Sequence, residues 1–417
     1  MKYMTSLRNG AKFDVQKTYY IACTRSLVEY AAPVLTNLKD TQKQTLEVIQ
    51  NNAARLMLGA PQWTKLINLR GETGLPALQN RIKTRNTCII TKALSSGRNS
   101  YTKMRAIAEL NKNREIQTYN TYGKQITDCV RDLGVTNTLV KLKPDTPNNQ
   151  NPIPPWVTDN TNYHYTSLPG AKDSCSLEEL REAALTAITS NETPDTVVFY
   201  TDGSVDPTTQ TTGAAVYSER FTACWRTSDT ASTMQTELLA IKQALTYSLE
   251  NEQGPITIHT DCKSAVQALQ QKTVKENKNL IMNTKKLLHQ HQTENRQVTI
   301  NWIPSHIGIE GNDKADELAK TTKHINQVQI NIQPTISQIK SQINSKLRKI
   351  LHEEVKTQAS AGSASCRWYL NATDLTPPPG GQTHAQKFSC YNTQIKVRLQ
   401  GQLAIPARLC KRVRLLR

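Results

Sequence analysis

Apolar positions along this chain recur at three- and four-residue spacing in its first third, and short β-branched and aromatic runs join such spacing further on. Thr18–Tyr30, Gln44–Leu58 and Leu78–Leu94 have the helical spacing, and Gly59-Ala-Pro61 and Gly74-Leu-Pro76 interrupt them where helices should stop. Residues 1–130 therefore read as a mostly helical region. Lys143 to Trp156 is rich in Pro and Asn and poor in core residues, the composition of a stiff linker. Residues 131–195 as a whole read as linker, with one short helix over Leu177–Ala187.

Strand patterns begin at Val197-Val-Phe-Tyr200, a β-branched and aromatic run with Asp202 at its carboxyl end. Gly213–Tyr217 and Phe221–Trp225 continue it as a three-stranded meander. A helix follows over Ser232–Glu250, with Leu238, Ile241, Leu245 and Leu249 on its core face and Ser232 and Gln235 as a capping box. Pro255–Thr260 is a fourth strand, handing over at Asp261 to a helix over Ala265–Gln270 that Ser264 and Gln267 are placed to cap. Between Gln271 and Gln297 there is room for one basic helix carrying Lys278, Lys285 and Lys286. The fifth strand is Gln297–Trp302, and a helix over Asn312–Lys320 closes a segment of 196–322. Residues 323–417 read as a basic tail, helical over Ile336–Val355, broken at Thr376-Pro-Pro-Pro-Gly-Gly381 and partly disordered.

Four carboxylates stand at strand ends and helix positions among these elements, Asp202 and Asp261 where strands end, Glu237 in the first turns of a helix and Asp316 in the interior of another. They lie in Tyr200-Thr-Asp202-Gly-Ser204, Gln235-Thr-Glu237-Leu-Leu-Ala, Ile258-His-Thr-Asp261-Cys-Lys-Ser264 and Ser305-His306-Ile-Gly-Ile-Glu-Gly-Asn312-Asp-Lys-Ala-Asp316. Singly, each has an ordinary reading: Asp202-Gly as a turn, Glu237 and Asp261 as acids near helix starts, Asp316 as half of a surface ion pair. Jointly they supply clustered hard oxygen ligands of the kind Mg²⁺ takes, and paired Mg²⁺ ions suit in-line attack of water on a phosphodiester.

In order and spacing these stretches resemble the type I ribonuclease H family. The resemblance implies an α/β fold with a mixed five-stranded sheet flanked by helices, and cleavage of the RNA strand of RNA–DNA hybrids. It places the family's metal-binding acids on Asp202, Glu237, Asp261 and Asp316, with Asp202 bridging two Mg²⁺ ions (Mn²⁺ able to substitute), and its mobile histidine on His306. Gly203, Ser204 and Asn312 fall where the family contacts its substrate, and the RNA 2′-hydroxyl is what such contacts distinguish. The Asn that often precedes the family's glutamate is replaced by Ser232-Thr-Met-Gln235.

Arg25-Ser-Leu-Val-Glu-Tyr30, Gln50-Asn-Asn-Ala-Ala-Arg55-Leu-Met-Leu-Gly59 and Glu72-Thr-Gly-Leu-Pro76 resemble the region after the polymerase palm in non-LTR retrotransposon polyproteins. No Tyr-x-Asp-Asp motif occurs, so polymerase activity is not expected. A catalytically silent nucleic-acid-binding remnant and a transposase or integrase are the competing readings. The His306-x-Gly-x-x-Gly-Asn312 run resembles ribonuclease H more closely than the latter.

Charge agrees with a polyanionic partner. The 52 Lys and Arg exceed the 34 Asp and Glu, a net +18, and a basic surface of this kind binds nucleic acid backbone. Lys396, Arg398, Arg408, Lys411, Arg412, Arg414 and Arg417 form an acid-free basic end. No run of about 18 apolar residues occurs, so no membrane partner is expected, and the amino terminus lacks an apolar signal core. The nine scattered cysteines show no zinc spacing and fit reduced thiols of a nuclear or cytoplasmic protein that is not secreted.

Overall fold

The computed structural model describes residues 11–96, 101–111, 122–140, 142, 153, 154, 156–206 and 208–362. Most of the Pro/Asn-rich stretch, the break at Thr376–Gly381 and the basic end lie outside the described residues. The chain forms two compact units: one gathers described residues among 1–89, 109–136 and 342–417, the other those of 90–108 and 137–341.

The first unit is helical, as its periodicity predicts. Phe13–Tyr19 runs through a π turn at Tyr20–Arg25 into Ser26–Tyr30, and Asp40–Leu58, Leu66–Thr73 and Tyr122–Asp132 are further helices. Gly59 and Gly74 end two of them in the left-handed conformation (φ +60° and +61°), which a glycine adopts without a Cβ penalty. Tyr20, Ala53, Met57 and Leu75 pack together, and Tyr20 Oη donates to Gln50 Oε1 at 3.2 Å.

The second unit is built on a six-stranded mixed sheet. The strands are β1 (Asn162–Tyr165), β2 (Val197–Val205), β3 (Thr212–Tyr217), β4 (Thr222–Thr227), β5 (Ile256–Thr260) and β6 (Val298–Trp302), in the order β1-β6-β5-β2-β3-β4. The β2-β3-β4 meander is antiparallel; β2, β5, β6 and β1 run parallel. The helices are α1 (Leu177–Asn191), α2 (Thr233–Asn251), α3 (Lys263–Gln270), α4 (Lys278–Thr293) and α5 (Glu310–Thr321); a sixth, α6 (Ile336–Ser360), starts in this unit and belongs to the first from Gln342 on.

One strand exceeds the five expected. Asn162-Tyr-His-Tyr165 is too short and too polar to stand out by pattern, and its partner β6 is what makes it a strand. His164 Nδ1 meets Asn301 Oδ1 at 2.9 Å, and Asn301 Nδ2 donates to His259 Nδ1 at 3.1 Å. The Nε2 of that buried histidine faces Glu192 Oε1 at 3.0 Å.

Alternation along β2 divides the unit into two layers. Val197 and Phe199 enter the core with Leu238, Ile241 and Leu245 of α2, Ala265, Val266 and Leu269 of α3, and Ile281 and Leu288 of α4. Tyr200 faces the other way, against a cluster of Leu180, Ala184 and Ile188 of α1 with Ile303, Ile307 and Ile309. The expected core face of α2 holds except at Leu249, which is half-buried while Ser248 is buried and bonds His291 Nε2 at 3.2 Å.

Ser232 and Gln235 form the expected capping box. Ser264 does not cap α3: the helix starts two residues earlier than expected, at Lys263, and its N-cap Cys262 makes no side-chain capping bond, its Sγ meeting Ser264 Oγ at 3.2 Å instead. Past α5 the chain returns to the sheet, where Gln329 N donates to Arg226 O at 2.8 Å and covers the β4 edge.

Candidate active site

Asp202 and Asp261 are brought together by strand register. Thr201 pairs with Thr260, and each acid is the next residue along its strand's path. The parallel pairing of β2 with β5 stops there, while β2 continues to Val205 against β3. Asp202 is therefore inside a strand rather than at its end, at the carboxyl edge of the parallel sheet, where ligands collect in open α/β sheets.

Glu237 arrives from α2. The helix can approach β2 because residue 203 is glycine: a Cβ there would lie 2.4 Å from Thr236 Oγ1 and 2.6 Å from Glu237 N. Carboxylate oxygens of Asp202, Glu237 and Asp261 then lie within 4.8 Å of one another. Asp202 and Glu237 are buried, and Thr260 Oγ1 donates to Glu237 Oε2 at 3.4 Å.

Burial of like charges shifts all three acids upward. Desolvation, then Asp261 and Asp316, hold the Asp202 carboxyl up to about 7. Desolvation pushes Glu237 well above the carboxylate range, with Asp202 and Asp261 adding to it. Gly203 N–H opposes both shifts by hydrogen bonding. Desolvation raises Asp261, and His306 and Lys172 act in the opposite direction.

Asp316 lies outside this trio. It sits on α5, half-buried, paired to Lys320 Nζ at 2.6 Å and 4.0 Å from His306 Nδ1. Its charge nonetheless reaches Asp202 and Asp261. His306 is 73 % exposed and takes a left-handed backbone conformation (φ +57°), followed by Gly308 at +74°. Asn312 is buried one helical turn before Asp316, and among the described residues its Oδ1 has no hydrogen-bond partner. Gly203 is buried against α2, so its side-chain position is committed to packing; Ser204 is half-buried and pairs with Gly213 of β3.

The donor set fits a divalent cation. It consists of carboxylate oxygens alone, the choice of Mg²⁺, and among the described residues none of Asp202, Glu237 or Asp261 is in an ion pair that would cancel its charge.

The RNase H family model matches residues 194–324. This segment is an RNase H domain. Its match begins just before β2 and ends just after α5, so β1, α1 and the segment covering the β4 edge lie beyond it.

Two functional candidates were not expected from sequence. Lys320 is spaced i,i+4 from Asp316, which is the signal that finds such a pair. Lys172 lies far upstream and had no signal. Among the described residues, no helix is long and apolar enough to cross a membrane.

Proposed function

We propose that this chain is a Mg²⁺-dependent endoribonuclease that cuts the RNA strand of RNA–DNA hybrids, within a protein derived from a non-LTR retroelement. The observation that carries the reading is the trio of Asp202, Glu237 and Asp261 inside the RNase H domain, two of them buried and Asp261 half-buried, with no ion pair to any of them among the described residues.

In this reading Asp202, Glu237 and Asp261 hold metal, and Asp316 completes the set from α5. The bound ions would activate water and neutralise charge on the scissile phosphate and the departing 3′ oxygen. Low accessibility around Asp202 and Glu237 limits competing solvent and strengthens each electrostatic contact. His306, exposed on its glycine-containing loop and close to Asp316, is placed to carry protons between the site and bulk water. Asn312 shares a helix face with Asp316 and offers a free acceptor that orients this part of the site. Gly203 and Ser204 present main chain and a hydroxyl at the edge where an RNA 2′-hydroxyl would lie.

The retroelement origin is supported by the first hundred residues, whose motifs resemble the region after a polymerase palm. The test is cleavage of an end-labelled hybrid by the full chain with Mg²⁺ and with EDTA. Metal-dependent scission of the RNA strand alone, lost in Asp202→Asn, is expected. Equal cutting by Asp202→Asn, or hybrid binding without scission, would sink the reading.

A further inference from the structure

We infer that Lys172, which lies outside the matched RNase H segment, is a substrate-binding residue of the same site, gripping a backbone phosphate next to the scissile one. This inference rests on the hybrid-cleavage reading above.

Lys172 sits in a short 3-10 turn, Lys172–Ser174, between β1 and α1. That turn is clamped on both sides. Upstream, Thr166 N and Oγ1 both donate to Trp302 O, at 3.1 and 2.7 Å, tying the end of β1 to the end of β6. Leu168 then packs against the cores on both sides of the sheet. Downstream, Cys175 packs against the α1 cluster, and Ser176 caps α1 in a capping box with Glu179. A flexible linker would not place a lysine reproducibly, but this segment does.

The ammonium thereby reaches the active-site loop. Lys172 Nζ donates to Ser305 Oγ at 2.7 Å, and Ser305 immediately precedes His306. The Lys172 charge also acts favourably on the carboxylate of Asp261. Two lysines thus border the acids, Lys320 and Lys172, with the His306 imidazole beside them. Lys320 is taken up by Asp316 at 2.6 Å.

Lys172 is exposed, and its hydrogen-bond partner is a neutral hydroxyl; among the described residues it makes no ion pair. Its charge is therefore available. A nucleic acid strand entering the site brings a phosphate at each step. The acids, once they held metal, would take the scissile one, and its neighbours are repelled by any carboxylate they approach. A positioned ammonium at the rim answers that repulsion as a point charge, which suits a single phosphate oxygen.

The experiment measures binding of a hybrid to the full-length Asp202→Asn chain, with Lys172 intact, changed to Ala or changed to Arg. Salt concentration is varied at one fixed low Mg²⁺ concentration. Losing one phosphate contact should make the plot of log affinity against log salt shallower by about 0.7–0.9 and weaken binding about fivefold near 0.15 M salt. Lys172→Arg should keep the parent slope. A slope unchanged in Lys172→Ala would overturn the inference, even if cleavage falls in the otherwise unsubstituted chain, because loop positioning alone releases no counterion. Cleavage by the unsubstituted chain tests the underlying reading separately; absence of hybrid binding by the Asp202→Asn parent overturns both. Matching thermal melts of the three chains would exclude misfolding as the cause of a changed slope.

Discussion

Asp202 holds its proton up to about 7 because it is buried beside two other acids, and this links metal-free stability to pH. An unfolded aspartate releases its proton near 3.9. Between that value and about 7 the folded state binds the extra proton, so stability falls as pH rises through the window and levels off above it. Glu237 and Asp261 are shifted in the same direction and add to the slope. In EDTA the chain should melt at a higher temperature at pH 5 than at pH 8, and Asp202→Asn should melt above the parent at pH 8. Mg²⁺ should raise the pH 8 melt more than the pH 5 melt, because the ligands must shed protons to bind it. Calorimetry at the two pH values checks all three outcomes.

In cleavage assays Asp202→Asn should cost about 10²–10³-fold or more, as expected when one charged group leaves a preorganised site. His306→Ala should cost about a hundredfold, the low end for a lost proton carrier. Single-turnover rates on one labelled hybrid compare them directly.

At the scale of elements, the site depends on a close contact between α2 and β2. Gly203→Ala should destabilise the RNase H domain by about 1–3 kcal/mol, the usual cost of overpacking, because the added methyl meets backbone atoms of Thr236 and Glu237 below 3.0 Å. Activity should fall with it, since the same shift moves Glu237. Gly311 repeats the arrangement on the other face, where a Cβ would meet the Tyr200 ring at 2.2 Å. Ser232→Ala should cost about 1 kcal/mol through loss of the α2 cap. Urea titrations of these variants separate the clashes from the cap by magnitude.

Across the whole second unit, the RNase H domain is flanked by chain that belongs to its sheet. β1 adds to β6, α1 covers Ile303, Ile307 and Ile309, and Gln329–Ile332 lines the β4 edge. Gln235, two residues before Glu237, ties that last segment in: its Nε2 donates to Asn277 Oδ1 at 2.8 Å and Gln333 O at 2.9 Å, and its Oε1 accepts from Gln338 at 2.8 Å. A 156–341 fragment should therefore melt cooperatively, and one trimmed to 194–324 should melt lower and bind ANS through the uncovered Tyr200-side cluster. Equal melting temperatures would show that the flanks contribute nothing to the fold.

Local chemistry determined much of this protein in advance. Short β-branched, aromatic and apolar runs located five of the six strands, leucine spacing located α2, and the capping pair Ser232 and Gln235 marked its start. The acids could be chosen because their local patterns, in order and spacing, resemble those of the ribonuclease H family. Other features arise only when distant segments meet. Asn162–Tyr165 becomes a strand by pairing with β6, since four residues carry too little intrinsic preference to commit alone. The approach of Asp202, Glu237 and Asp261, and the raised pKa values that follow, come from strand register and from the space left at Gly203. Asp316's separation from that trio, and Lys172's reach to Ser305 from more than a hundred residues upstream, are likewise tertiary. Short-range pattern encodes which segments form and which residues carry charge, while electrostatic coupling depends on distance through space, which only the packed fold determines.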